Sequence, residues 1–535
     1  MTTVRRVYGY LGAFVGLLLA VISLVALIAL IVDRGFDAFR DFMISSSAPA
    51  LALIIVGGVT WRYFWRKGER EATASIDERS CGARKLYLYG VMTISLLSAL
   101  IITQLLLSEM LTRLLVTGWS GYKPWTPLLS AALLFAIWRW HDSIARLDRL
   151  ANADGARGSD IQRGYWFSIA FFGVVLLING LTSIASNLLM WLGNPTSIGG
   201  FGFGISSSSW AQIFIPPLTQ AIVGWIALGL TWRPSQIAAA AGDQIERSSK
   251  MRSILIHFAV LLAAIRVLGG AQLLLTDILG RLLRGTPRDL LVLSANGSLS
   301  WLIVGSLIAW YFFKFVRPTL LNPRLSEYII AGVAFFIGVA GVAGVVLAIF
   351  QFLGGYRTRI EELIVSLVPM LLIGAVWFWR WSLLQREIVT VTTSEPRNDI
   401  WRKVYLYLFQ FGGLTSMLIG GVILLQSIIA SILGQPSFGG FETTNFLYQL
   451  SGPLTALIVG FGLMVYLGRI ANDDARLSGL TVEEMVRQTI GDHVPTWALF
   501  AIVYLIVGPL WVTVLLALLG PAIGNVFSNI YRNIP

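Results

Sequence analysis

Three histidines (His141, His257 and His493) and one cysteine (Cys81) are the whole supply of imidazole and thiol in a chain of 535 residues. The histidines are far apart in sequence. None pairs with a carboxylate at metal-ligand spacing. There is no H-E-x-x-H, no Walker loop and no G-x-S-x-G elbow. One cysteine excludes an intramolecular disulfide, a cysteine-based metal site and haem attachment. The expectation is a non-enzyme with no cofactor and no metal.

The chemistry that remains lies inside apolar runs. Arg266 sits near the middle of one, and the nearest acid in its helix, Asp277, is three turns away. In another run Asn179, Ser183 and Asn187 recur at four-residue steps, with Thr182 and Ser186 beside them. An ionisable group in hydrocarbon is a functional candidate by default. Arg266 either binds a substrate anion or bonds carbonyls and polar side chains of neighbouring helices. The stripe either ties helices together or lines a cavity. Arg266, Asn179, Ser183 and Asn187 are therefore the candidate intramembrane polar site. Glu109 and Arg113, one turn apart, read as an ion pair along one helix. Gly199, Gly200, Gly202 and Gly204 read as a turn between spans.

The elements that must carry these residues follow from composition. Hydrophobic residues make up 56% of the chain and charged ones 13%. A soluble chain needs roughly twice that charge to cover its surface. A bilayer core takes about 20 helical residues, and lipid leaves no other way to satisfy the backbone. About thirteen such runs are present, near 11–32, 48–66, 88–112, 125–140, 165–190, 211–232, 254–275, 296–316, 328–353, 362–381, 405–431, 449–469 and 495–520. The fold expected is all-α integral membrane. The first run is longer than a secretory signal core and no A-x-A site follows it, so it reads as a retained span.

Charge gives the orientation. The net charge is +12, and the basic residues collect after even-numbered spans. Arg62, Arg66, Lys67, Arg70, Arg84 and Lys85 follow the second; Arg139, Arg146 and Arg149 the fourth; Arg380, Arg386, Arg402 and Lys403 the tenth. Basic loops stay in the cytoplasm. The N-terminus is thus expected inside and the C-terminus outside, in a bacterial cytoplasmic membrane. Anionic lipid headgroups at the cytoplasmic loops are the expected partners, with other membrane proteins or further copies of the chain. Nucleic acid is not, because membrane topology already accounts for the charge.

Repeats organise the spans. Arg5-Arg6-Val7-Tyr8-Gly9-Tyr10, Arg84-Lys85-Leu86-Tyr87-Leu88-Tyr89 and Arg402-Lys403-Val404-Tyr405-Leu406-Tyr407 open the first, third and eleventh, and Arg163-Gly164-Tyr165 is a weaker version at the fifth. Trp61-Arg62, Trp138-Arg139-Trp140, Trp232-Arg233 and Trp379-Arg380-Trp381 close even-numbered spans. Such rings and basic tips read as anchors at the headgroup level. Glu78-Arg79-Ser80 before Arg84 is echoed by Glu246-Arg247-Ser248 before Arg252. The unit is a two-helix hairpin, six of them with one further span. A longer echo, Trp138 with Trp379 and Leu192–Phe201 with Leu433–Phe441, suggests two parallel halves of three hairpins. The expected domains are 1–250, 251–475, and 476–535 with an amphipathic helix at Thr481–Ile490 and the final span. Arg34–Met43 and Thr276–Leu293 read as short helices on the outer surface. Ala334, Gly338, Gly341 and Gly344 read as a close-packing face.

The Arg-[Arg/Lys]-x-Tyr-x-Tyr starts, the Trp-Arg exits and the repeated hairpins together resemble a bacterial membrane-protein family catalogued as domain of unknown function 5671. The resemblance covers most of the chain as tandem copies. It departs at Arg252, where Ser253-Ile254-Leu255 stands in place of the tyrosines. It implies a bacterial membrane setting and no activity, and carries over no functional residues. The function expected first is a transporter or channel for a neutral, anionic or lipid-like substrate. The alternative is a non-catalytic membrane scaffold or a subunit of a larger membrane complex.

Overall fold

A computed structural model describes residues 3–42, 48–117, 124–150, 156–193, 210–284, 295–320, 324–353, 360–390, 400–432 and 446–478. These form twelve long helices: α1 (Thr3–Phe42), α2 (Ala48–Ala74), α3 (Gly82–Thr112), α4 (Trp125–Leu150), α5 (Ala156–Gly193), α6 (Trp210–Ala240), α7 (Lys250–Arg284), α8 (Ala295–Tyr311), α9 (Arg324–Leu353), α10 (Ile360–Thr390), α11 (Ile400–Ile432) and α12 (Phe446–Ser478). No strand occurs among the described residues.

Eleven of the helices are long and apolar enough to cross a membrane. The one left over is α4. Arg139, His141, Asp142 and Arg146 interrupt it past its middle, and the apolar stretch before them falls short of the ~20 residues a bilayer asks for. The expected thirteenth span at 495–520, the amphipathic helix at 481–490 and the glycine cluster at 199–204 lie outside the described residues. Leu53, Ile55, Val56 and Val59 on α2, and Leu418, Ile419, Val422 and Leu425 on α11, are exposed. Apolar faces of that extent suit lipid, not water. The expected surface helices after the first and seventh spans are not separate elements: α1 runs on to Phe42 and α7 to Arg284.

Two compact units divide the described residues, one within 3–181 and 210–255, the other within 182–193 and 256–478. In the first, α1 packs on α2, α3 and α4, and α3 on α4 and α6. Its core gathers Tyr10, Trp65, Tyr87, Tyr89 and Tyr165 with Leu88 and Met92. In the second, α9 packs on α10, α11 and α12, and α11 on α12. Tyr328, Phe335, Trp381, Tyr405 and Leu467 form a core there.

Glycines set how closely these helices approach. A Cβ on Gly57 would come within 2.7 Å of the Gly16 carbonyl oxygen, and one on Gly338 within 2.5 Å of the Gly374 Cα. Gly341 lies against Met370 and Gly344 against Leu367. The small-residue face read on α9 is thus the face packed on α10. Small residues allow backbones to meet where lipid offers no hydrophobic drive between helices.

Candidate functional site

Three of the basic helix starts, at Arg84, Arg252 and Arg402, turn their arginine inward. Arg84, in the first turn of α3, is 1% exposed. Its Nε donates to Asp148 Oδ2 at 2.7 Å and its Nη2 to Asp148 Oδ1 at 3.4 Å. Nη1 donates to Glu69 Oε2 at 3.0 Å. The guanidinium lies 5.3 Å from the centre of the Trp65 ring. Three helices supply the parts: α2 gives Trp65 and Glu69 one turn apart, α3 gives Arg84, and the end of α4 gives Asp148. The anchoring read for Arg84 is corrected. A guanidinium taken out of water needs fixed acceptors, and two carboxylates of the chain supply them. Since Glu69 and Arg62 share the last four turns of α2, Arg84 and Arg62 belong to the same end of the bundle.

A hydrogen-bond line runs beside this clamp. Trp61 Nε1 donates to the Tyr87 hydroxyl at 3.0 Å, and Tyr87 lies 3.2 Å from His141 Nε2. His141 Nδ1 lies 2.8 Å from the Ile137 carbonyl. A carbonyl only accepts, so Nδ1 carries the hydrogen and Nε2 accepts from Tyr87. The ring is fully buried and neutral in this arrangement. Trp61, Trp140 and His141 also line a cleft of about 250 Å³ with Leu17, Ala136 and Ile137.

The same clamp recurs in the second unit. Arg402 is 1% exposed. Its Nε donates to Asp474 Oδ2 at 2.7 Å and its Nη2 to Gln385 Oε1 at 3.0 Å. It lies 5.8 Å from the centre of the Trp381 ring. Trp377 Nε1 donates to the Tyr405 hydroxyl at 3.0 Å, as Trp61 does to Tyr87. Arg252, at the start of α7, donates to Gln236 Oε1 at 2.6 Å and lies 5.4 Å from the centre of the Trp232 ring. The sequence signal for all three is a four-residue step along one helix face: Trp61-Trp65-Glu69, Leu228-Trp232-Gln236 and Trp377-Trp381-Gln385. The anchor reading covers Trp61, Trp232 and Trp381; it does not reach Trp65, Trp377 or the polar residue one turn later. It also missed Asp148 and Asp474.

The Glu-Arg-Ser echo is structural too. Ile76–Arg79 and Gln244–Arg247 are one-turn helices. Arg79 Nε reaches back to the Ala72 carbonyl and Arg247 Nε to the Ala239 carbonyl, both at 2.8 Å. Glu78 pairs with Arg6 at 2.8 Å and Glu246 with Arg163 at 3.3 Å. Cys81 caps α3, its sulfur accepting from the Arg84 amide at 3.4 Å. Burial pushes the Cys81 thiol up, and the nearby Glu78 charge adds to this. Maleimide is therefore expected to label Cys81 in the native protein at neutral pH about tenfold more slowly than a free thiol. Labelling at the free-thiol rate would show that the cap is open.

Of the intramembrane site read from sequence, Arg266 donates from Nε to Thr182 Oγ1 at 3.4 Å and lies 5.5 Å from the centre of the Trp301 ring. The structure thus joins Arg266 to the neighbour of the stripe on α5. Asn179 and Ser183 are exposed and Asn187 half-buried. Glu109 and Arg113 form the expected pair at 2.8 Å. Among the described residues no group of three or more His, Cys, Asp or Glu is placed to hold a metal.

Residues 6–136, 163–307 and 324–462 each match one family model, described as a domain of unknown function (DUF5671). The family read from the Arg-[Arg/Lys]-x-Tyr-x-Tyr starts is the one matched. Each copy takes in four successive helices, and Arg84, Arg252 and Arg402 each stand at the start of the third. Asp148 and Asp474 each lie twelve residues past the end of their copy; at that distance the second copy has Thr319. No curated protein and no solved structure matches the chain.

Proposed function

Because the chain belongs to the DUF5671 family, in three tandem copies, we infer that it is a non-catalytic, multi-pass membrane scaffold. The observation that carries this is the use made of its charged groups. Arg84 and Arg402 are buried between packed helices, each held by an acid of its own hairpin, Asp148 or Asp474, and by a polar side chain of the preceding one, Glu69 or Gln385. Buried pairs of this kind specify an arrangement more than they add stability. Each copy would be two hairpins, six in all with a final span. An even number of helices per copy makes the copies parallel. The basic ends would lie in the cytoplasm of a bacterium, with Arg62, Arg66 and Arg70 available to anionic headgroups and the N-terminus inside.

The partner would be another membrane helix, from a second copy or a different subunit, seated on the exposed Asn179–Ser183 face of α5. Exposed Asn and Ser at four-residue steps bond across helices in lipid. The double variant Asn179→Leu, Ser183→Leu is then expected to leave the chain folded but to release its partner on native gels from mild detergent. An unchanged complex would sink this surface.

Arg266 favours the second reading, transport of a neutral, anionic or lipid-like substrate, since an arginine inside a span is costly to keep. Cysteine accessibility separates the two. In a Cys81→Ser background, Ser183→Cys in membranes should resist a charged, water-soluble thiol reagent if the face is covered by lipid or protein. Fast labelling, blocked by an added solute, would favour transport.

A further inference from the structure

The first and third copies differ at one atom group inside the clamp. In the first, Arg84 has an acceptor for Nε and Nη2 on Asp148 and for Nη1 on the Glu69 carboxylate. In the third, Gln385 stands one turn after Trp381, as Glu69 does after Trp65. Its Oε1 accepts from Arg402 Nη2. Beside this amide, three buried N–H groups have no acceptor among the described residues: Arg402 Nη1, Gln385 Nε2 and Trp381 Nε1. Arg402 and Trp381 are each 1% exposed. The Tyr407 hydroxyl is buried without a partner among the described residues as well.

The charges point the same way. In the first copy the buried Arg84 and Lys85 are accompanied by two carboxylates, Asp148 and Glu69. In the third, Arg402 and the buried Lys403 are accompanied by Asp474, whose field reaches Lys403. Among the described residues one negative charge has gone and no donor has gone with it. A buried guanidinium N–H without an acceptor costs far more than one that is bonded. A water would accept from one or two of these groups and leave the excess positive charge in place.

We propose that the third copy binds a small monovalent anion of chloride size at Arg402 Nη1, beside the Gln385 and Trp381 N–H groups. This anion takes the part that the Glu69 carboxylate plays in the first copy. The site lies at the end of the bundle where α10, α11 and α12 carry their clamp residues, and it is independent of the α5 face.

The test compares the purified full-length chain in lipid nanodiscs in sodium chloride and in sodium gluconate at equal ionic strength. Chloride is expected to raise the melting temperature by roughly 2–5 °C, saturating with concentration. Gln385→Glu, which rebuilds the first copy's arrangement, is expected to melt above the parent in gluconate and to lose the chloride response. A parent equally stable in both salts overturns the proposal. So does a Gln385→Glu variant that keeps the full response, since the effect would then be a general one of salt. If that variant does not fold, crystals of the parent grown in bromide decide the matter. Anomalous scattering next to Arg402 Nη1 supports an anion, and a site without it overturns one.

Discussion

Asp474→Asn is expected to destabilise the chain by about 3–5 kcal/mol, the cost of leaving a buried arginine without its carboxylate. The Asp474 side chain is 11% exposed and that of Arg402 1%. Replacement by Asn keeps the volume and removes the charge, so packing changes little. What is lost is the two-point pairing of Nε and Nη2. Asp148→Asn should cost less, about 1–3 kcal/mol, because Arg84 keeps Glu69 at 3.0 Å. The difference between the two variants is the informative quantity. It is read from unfolding of each variant in SDS added to mild detergent micelles, against the parent. Equal losses, or a loss below about 1 kcal/mol for Asp474→Asn, would mean that water reaches the clamp and screens it.

The second large effect comes from two pairs of adjacent glycines on α11. A Cβ on Gly413 would meet the Gly460 carbonyl oxygen at 2.9 Å, and one on Gly420 the Pro453 carbonyl oxygen at 2.8 Å. Gly412 and Gly421, their immediate neighbours, have nothing within 4 Å. Gly413 and Gly420 are seven residues apart and so share one face, the one packed on α12. Gly413→Ala pushes backbone against backbone and should cost about 1–3 kcal/mol. Gly460→Ala should do the same, since its Cβ would stand 2.5 Å from the Gly413 oxygen. Gly412→Ala adds the same methyl group on the open side. It should be neutral or stabilising by about 0.5–1 kcal/mol through helix propensity. The unfolding assay distinguishes them, and a Gly412→Ala as damaging as Gly413→Ala would place the α11–α12 contact on the wrong face.

Much of this architecture is legible in the sequence for a simple reason. Hydrocarbon demands an unbroken apolar run of fixed length, so each span announces itself along one stretch of chain. The small residues of α9 are legible on the same ground, because Gly338, Gly341 and Gly344 share a face whatever packs on it. The clamps are another kind of feature. Arg84 meets Asp148 and Arg402 meets Asp474 across 64 and 72 residues, and no local period reveals which acid a given arginine will meet. Trp65 and Glu69 held a usable signal, a tryptophan followed one turn later by a polar acceptor and then by an arginine at the next helix start. Read singly, each ring and each basic tip looked like an anchor for headgroups. Read as a triad occurring three times, they describe an inward-facing site. Arg266 was visible as an oddity in its span, but Thr182 could be matched to it only in three dimensions.

The Trp61–Tyr87–His141 line resembles a proton relay, yet it stops at the Ile137 carbonyl, an oxygen already engaged in its own helix. A carbonyl has no hydrogen to hand on. Among the described residues, a proton delivered to the imidazole has no hydrogen-bonded exit except the way it came. The line is a cul-de-sac: it sets which way a histidine points, and a pump or proton-coupled carrier would have to run its current along some other path.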